Sequence, residues 1–259
     1  MTLTFPDFVS NAIYATGQWE PYVTAYVRQS LRPGDIFIDV GANIGYFTLL
    51  AAGLVGNKGS VHAIEASRRI FTRLQRNVDL NGYRHVRCIH AAASSAAGEL
   101  SLYLAPDDND GHSTTVEALA HAEGMRLEGT VAADTLMNLV GEEKLFSARL
   151  VKIDVEGAEL SVLNAIFPVL ERFSNATEFL VELSPDYCPG RQDDVDRIFN
   201  AFAAAGYGLF RLPNAYSASA LLERPGIVTP VPLAAPPTGQ TDVLVSRTFR
   251  DRRRAEISD

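Results

Sequence analysis

Residues 150–159 read LVKIDVEGAE, an apolar run that ends in three carboxylates, Asp154, Glu156 and Glu159, within six positions. Like charges this close repel one another unless a cation, a shared proton or backbone N–H groups satisfy them. Two chemistries make use of such a place: a carboxylate at the edge of an apolar core can take a proton from a hydroxyl, and two carboxylates can share a hard divalent cation such as Mg2+. Asp154, directly after the apolar run, is the first candidate for base or metal ligand. Glu182, in FLVELSP, ends another apolar run and is the candidate partner in either role. If the first run stays extended to Glu156, period-two alternation puts Lys152, Asp154 and Glu156 on one side, where Lys152 offsets part of the charge. The competing reading is a structural network satisfied by Lys152 and backbone N–H groups. Glu159 falls where the next helix begins and reads as a first-turn acid favoured by the macrodipole. His112, in DNDGHSTT, is the alternative base because imidazole titrates near neutrality, set against a solvated loop histidine.

A second group sits in DVGANIGY, residues 39–46. Gly41 and Gly45 let the backbone turn tightly and approach a ligand where a Cβ would intrude. A dinucleotide fingerprint would continue Gly-x-Gly-x-x-Gly, yet its middle position here is Asn43 and the last glycine is out of register. Asp39, two residues before the first glycine, repels phosphate and suits an amino-acid-like or sulfonium-bearing ligand, which points to S-adenosylmethionine rather than NAD. Glu65 ends the next apolar run, 24 residues after Gly41, where an acid can accept hydrogen bonds from both ribose hydroxyls. The structural alternatives are a turn-stabilising Asp39 and a helix-capping Glu65.

These residues need a scaffold of strand ends. Apolar strands in IFIDV, GSVHAIEAS, HVRCIHAAA, ARLVKIDV and EFLVELSP, with a further strand of alternating character in GELSLYLA after the third, are interleaved with helical stretches, among them SRRIFTRLQRNVDLNG with Ile70, Leu74 and Val78 on one face and a stop at Gly82. Such alternation signals βαβ units and a doubly wound, mostly parallel α/β sheet of the Rossmann-like class. AELSVLNAIFPVL reads as one helix with Val162, Leu163, Ile166, Phe167 and Leu170 as its core stripe. GYGLFRLP and TDVLVSRT read as two closing strands. PDDNDGHSTTVEALAHAEGMRLEG reads as an active-site loop, its polar part at 106–115 suited to hydroxyl groups. RPGIVTPVPLAAPPTGQ, with five prolines, reads as irregular, a lid or mobile loop. The expected organisation is an N-terminal helical appendage at 1–32, broken near Gly17 and Pro21, one catalytic domain at 33–248 and a basic tail at 249–259. Trp19, just ahead of the core, reads as packing for the N-terminal helices or as a substrate wall.

With 259 residues and 47% hydrophobic content the chain can bury a full core. Its net charge of −8 argues against broad binding to nucleic acid. Cys88 and Cys188 form no disulfide framework or metal motif, and Cys88 reads as a small core residue. There is no basic, then apolar leader pattern at the N-terminus and no apolar stretch of membrane-spanning length, so a cytoplasmic protein with no membrane span is expected.

Four stretches, RPGDIFIDVGANIGYFTLLAA, VHAIEAS with the helix after it, AAASSAAGELSLYL and above all LVKIDVEGAELSVL, resemble the FkbM family of S-adenosylmethionine-dependent methyltransferases. The resemblance runs from about Gly17 to Leu183, with KIDVEGAE its most specific block. It implies O-methylation of hydroxyls on sugars, glycans or polyketides. It places Asp39, Gly41, Asn43 and Gly45 at the methionine end of the cofactor, Glu65 on the ribose and the backbone of Ala92 at the adenine edge. The expected partner is a small hydroxyl acceptor, a sugar or glycoside first and a macrolide second, with a homodimer as the candidate assembly. DVEG stands where N-acceptor enzymes carry an Asn-Pro-Pro-Tyr-type block, which favours oxygen. The rival classes are an NAD-dependent oxidoreductase and a non-catalytic cofactor-binding protein.

Overall fold

The computed structural model describes residues 1–105, 112–185, 191–213 and 219–249. Cys188 and the basic run at 250–259 lie outside them. Five parallel strands form the centre of the main sheet: β1 (Ile36–Val40), β2 (Ser60–Glu65), β3 (Val86–His90), β8 (Leu150–Ile153) and β9 (Glu178–Leu183). Three antiparallel strands extend it, β10 (Gly208–Arg211), β11 (Val231–Pro232) and β12 (Thr241–Ser246), in the spatial order β11-β10-β12-β9-β8-β1-β2-β3. The order reverses between β1 and β8, and that switch point is where ligands lie in open α/β sheets.

Alternation along the strands assigns each residue to one of two cores. Ile38, Val40, Val151, Ile153, Phe179 and Val181 pack under α6 (Leu136–Val140), α8 (Glu159–Asn164) and α9 (Arg191–Ala204). Phe37, Leu150, Leu180 and Leu244 pack under α2 (Pro21–Ser30) and α3 (Tyr46–Val55). The segment expected as an appendage therefore contributes a layer of the fold: Val23, Tyr26 and Val27 of α2 are fully buried on the sheet. The Tyr26 hydroxyl donates to Glu178 Oε2 at 2.8 Å. In α4 (Arg68–Asn81) the predicted face is the buried one, the Ser67 hydroxyl caps Ile70 N–H, and Gly82 ends the helix with φ 65°.

Four expectations need correction. Beyond 106–111, which lie outside the described residues, the polar stretch is not simply a loop, although its Ser113 and Thr115 line the cavity described below. Between β3 and β8 the chain builds a second sheet, in the order β4-β7-β5-β6, from β4 (Ala92–Ala93), β5 (Gly98–Leu104), β6 (Ser113–Thr114) and β7 (Arg126–Asp134), with α5 (Glu117–Ala122) inside the insertion. Its core holds only Ala92, Leu102, Val131 and Ala133, so most of β7 is exposed and reads as polar sequence. The helix after Asp154 breaks into α8 and a 3-10 turn at Phe167–Arg172, because Pro168 cannot donate a helical hydrogen bond. The proline-rich stretch forms edge strand β11, a position that tolerates proline. Finally, β8 stops at Ile153, and Glu156 leaves the extended path at φ 48°.

His62, on β2, is buried with neither ring nitrogen hydrogen-bonded. Burial, with Arg87 and Lys144 nearby, lowers its pKa to about 4. The folded state thus holds this ring neutral, and its stabilising effect is lost as pH falls from the unfolded value near 6.5 towards 4. Replacing His62 by Leu should remove a loss on the order of 2–3 kcal/mol between pH 7 and pH 4, read from urea unfolding at several pH values.

Candidate active site

The turn after β1 is shaped by one close approach. A Cβ on Gly41 would stand 1.7 Å from the carbonyl oxygen of Asp154, so only glycine lets the β1–α3 and β8–α8 turns meet. Gly41 N–H and Ala42 N–H both donate to Ile64 O at 3.0 Å, tying this turn to β2. Gly45, at φ 92°, leaves room for the Leu74 side chain. Asn43 is left-handed at φ 51°, which aims its N–H at Glu65 Oε2, 2.9 Å away. The other Glu65 oxygen accepts from Ser67 N–H at 2.8 Å. Burial raises the Glu65 pKa to about 7, and the two N–H donors temper the rise.

The Asp39 side chain lies beneath this turn rather than on the cavity wall. Its Oδ2 accepts from the Thr48 hydroxyl at 2.6 Å and its Oδ1 has no hydrogen-bond partner. Burial raises its pKa, and Lys152 on the neighbouring strand works against that.

Lys152 is the centre of the acidic region. Its ammonium is buried, 2.7 Å from Asp154 Oδ2 and 5.0 Å from the centroid of the Phe47 ring. Burial alone would lower its pKa, but Asp154, Asp39 and Glu20 outweigh it and hold the group well above the ordinary lysine range. Asp39, Lys152 and Glu182 share the sheet face covered by α2 and α3, as alternation from Phe37, Leu150 and Leu180 requires. Glu182 accepts from Gln240 Nε2 at 2.9 Å and lies opposite Asp242 of β12. Burial, then Asp154, Glu156, Asp242 and Glu20, push its pKa well up. Glu20 is the participant that sequence reasoning missed. It precedes α2 with φ 40°, and one carboxylate oxygen from each of Glu20, Asp154 and Glu182 lies within 4.8 Å of the others. An acid before Pro21 looks like ordinary helix-start chemistry, and only the packing of α2 brings it here.

His112 does not stand as a free base. Its Nδ1 is 2.9 Å from Glu156 Oε1 and its Nε2 is 2.8 Å from Glu123 Oε2, so both nitrogens donate and the ring is an imidazolium. Burial would lower its pKa, but the two carboxylates raise it to about 9. With the Thr114 hydroxyl on Glu156 O at 2.6 Å, this bridge ties the inserted sheet to the turn after β8. Glu159 is structural, as expected: it accepts from Gly157 N–H at 2.9 Å and pairs with Arg191 at 2.9 Å.

One cavity joins these parts. It is lined by Glu65 and Ala91 to Ala93, by Gly41, Asn43, Lys152, Asp154 and Glu156, and by Val9, Trp19 and Tyr46. Of the candidate site residues, Gly41, Asn43, Glu65, Ala92 and Asp154 line this cavity, whereas Asp39, Gly45, His112 and Glu182 do not. No residue of 225–237 lines it. Among the described residues no helix is long and apolar enough to cross a membrane.

A family described as the methyltransferase FkbM domain matches residues 39–209. The chain is 31% identical over 170 residues to the 31-O-demethyl-FK506 methyltransferase FkbM of Streptomyces tacrolimicus, covering 54% of this chain and 64%, just under two thirds, of that relative. Solved structures that align with it include two methyltransferases. The methyltransferase FkbM from Methylobacillus flagellatus has TM-score 0.49 and 15% identity over 92% of this chain and 52% of its own. A SAM-dependent O-methyltransferase from Thermotoga maritima has TM-score 0.47 and 12% identity over 92% and 70%.

Removing the buried cation should expose the repulsion it holds down. Lys152→Met is expected to cost about 3–5 kcal/mol at pH 8. The raised carboxyls of Asp39 and Glu182 are least favourable when ionised, so the loss should shrink towards pH 5.5 as they protonate. Equal losses at both pH values in urea unfolding would refute this.

Proposed function

This chain belongs to the FkbM family of S-adenosylmethionine-dependent methyltransferases, and from that premise we propose that it moves the methyl group to a hydroxyl oxygen of a small molecule, a sugar or glycoside. The observation that carries the reading is that one cavity is lined both by a ribose-type acid at the end of β2 and by carboxylates just after β8, on the other side of β1. The donor set suits the cofactor: Glu65 is held by two N–H groups with lone pairs left for hydroxyls, and Ala91 to Ala93 leave a flat, small-residue edge for a base.

The cofactor supplies an electrophilic methyl on a sulfonium. Glu65 binds the ribose hydroxyls and the glycine turn seats the amino-acid portion. Holding acceptor oxygen, methyl and sulfur in line can supply up to about 7–11 kcal/mol. Asp154, the carboxylate open to the cavity, accepts the hydroxyl proton, an effect of about 10²–10⁴-fold. Lys152 orients Asp154 and limits its charge, and Glu182 and Glu20 lie behind it. Trp19 and Tyr46 form the acceptor wall.

A second reading has a specific observation behind it. Glu20, Asp154 and Glu182 offer the hard oxygen set that Mg2+ takes, in competition with the Lys152 ammonium on Asp154. A macrolide acceptor is the alternative to a sugar, in keeping with the name of the Streptomyces relative and with the apolar part of the wall.

Calorimetric titration with S-adenosylhomocysteine, with and without Mg2+, should give saturable one-site binding. Glu65→Gln should weaken it by about 10- to 100-fold, the worth of charge-assisted hydrogen bonds. Asp154→Asn should retain binding and lose turnover on whichever acceptor from a panel of sugars and macrolides gains a methyl group by mass spectrometry. Absence of binding in both conditions would end the methyltransferase reading for this site; affinity that depends on Mg2+ would favour the metal.

A further inference from the structure

The start of the chain contributes Val9 to the cavity lining, with Trp19 just beyond it, from a helix that is weakly attached to the fold. Helix α1 (Phe8–Thr16) buries only Val9 and Ala12 among its apolar residues, while Phe8 is 47% and Tyr14 76% exposed. Its neighbour α2 buries Val23, Tyr26 and Val27 completely. A helix with so little apolar burial is held by its ends. At the far end Thr2 N–H donates to Asn77 Oδ1 at 2.5 Å and Asn77 Nδ2 donates to Thr2 O at 3.3 Å. That same Asn77 nitrogen donates to Ile44 O in the glycine turn at 2.9 Å. At the near end the Arg224 guanidinium donates to Thr16 O.

Between the two attachments α1 places Val9 on the cavity wall and Phe8 edge-on to Trp19, 5.7 Å between ring centroids. The near attachment lies beside Gly17, left-handed at φ 77° with nothing within 4 Å of the position a Cβ would take. Beyond it the chain is anchored: Gln18 Nε2 donates to Glu223 O at 2.5 Å, the Tyr22 hydroxyl donates to the Glu223 carboxylate, and α2 is core. A weakly buried arm thus ends at a left-handed glycine, spanned by the Thr16 hydroxyl donating to Gln18 O at 2.8 Å, with a fixed base beyond it.

We infer that residues 2–16 form an arm hinged at Gly17 that closes the cofactor cavity, latched at Asn77, and that the cofactor enters and leaves when the arm lifts. The inference rests on the reading of this cavity as the cofactor site. Lifting the arm removes Val9 from the wall and uncovers Trp19, while Glu65 and the acidic cluster stay fixed on the sheet. The latch touches the glycine turn through one side chain, Asn77, so arm closure and cofactor seating meet at Ile44, a lining residue.

The test uses the full-length protein and S-adenosylhomocysteine. Trp19 is the single tryptophan, so its fluorescence reports the wall directly in stopped flow, with radiolabelled ligand release as an independent readout. If the arm gates entry, the binding rate levels off at high ligand concentration at the opening rate, and Phe8→Ala raises that plateau and the release rate together, by about fivefold or more. Hydrogen exchange should show residues 2–16 exchanging faster than α2 and gaining protection when ligand binds. Asn77→Asp, which keeps the acceptor for Thr2 N–H and removes the donor, should act in the same direction. Ligand binding at an unchanged rate in Phe8→Ala, or equal protection of residues 2–16 and α2 with no response to ligand, overturns the arm while leaving the cofactor reading standing. Failure of the wild-type protein to bind the ligand at all removes that reading first, and the gate with it.

Discussion

An ammonium group buried at the centre of a parallel sheet is the constraint on which this site depends. Lys152 stands between Asp39 on one side and Asp154 above it, with Glu20 acting from the covering helix. Burying the ammonium or any one of these acids alone would cost several kcal/mol. Together they satisfy one another only in part. Three carboxylate oxygens crowd within 4.8 Å at the mouth of the β8 strand, with Glu182 pushed towards its protonated form. A site that only needed stability would not keep this arrangement, since apolar residues of similar volume would pack there at no electrostatic cost.

The central architecture is legible in the sequence because it rests on local signals. Apolar runs, a serine cap before Arg68, Gly82 after Asn81 and the glycine turn of 41–45 each act over a few residues, and the structure places each element where these signals put it. The pair formed by Glu65 and the turn is also legible, since strand ends of a parallel sheet face one rim. The clustered acids of 154–159 separate by backbone direction: Asp154 still follows the strand, Glu156 is turned away at φ 48°, and Glu159 goes to Arg191.

What was hidden is what depends on packing between distant segments. Glu20 reaches Asp154 across more than a hundred residues because α2 lies on the sheet, and no spacing rule carries that information. Of the second sheet only GELSLYLA is legible as an alternating strand; its partners are not, because the buried core they share is four small or medium residues and most of β7 is exposed. His112 changed role for a related reason. Its identity suggests a base, but Glu123 and Glu156 arrive from either side and turn it into a bridge.

The alternation that separates the two cores has one more consequence. Asp39 and Lys152 face α2 and α3, while the residues just before and after them face α6, α8 and α9. If β1 or β8 slipped by one residue during folding, these charges would turn into an apolar layer with nothing to meet them, and their own layer would lose its ion pairs. Every misaligned pairing of the two central strands therefore carries an electrostatic penalty that the correct one avoids. The same charges thus act as an alignment key, selecting the single strand register in which the acidic rim of the cavity exists.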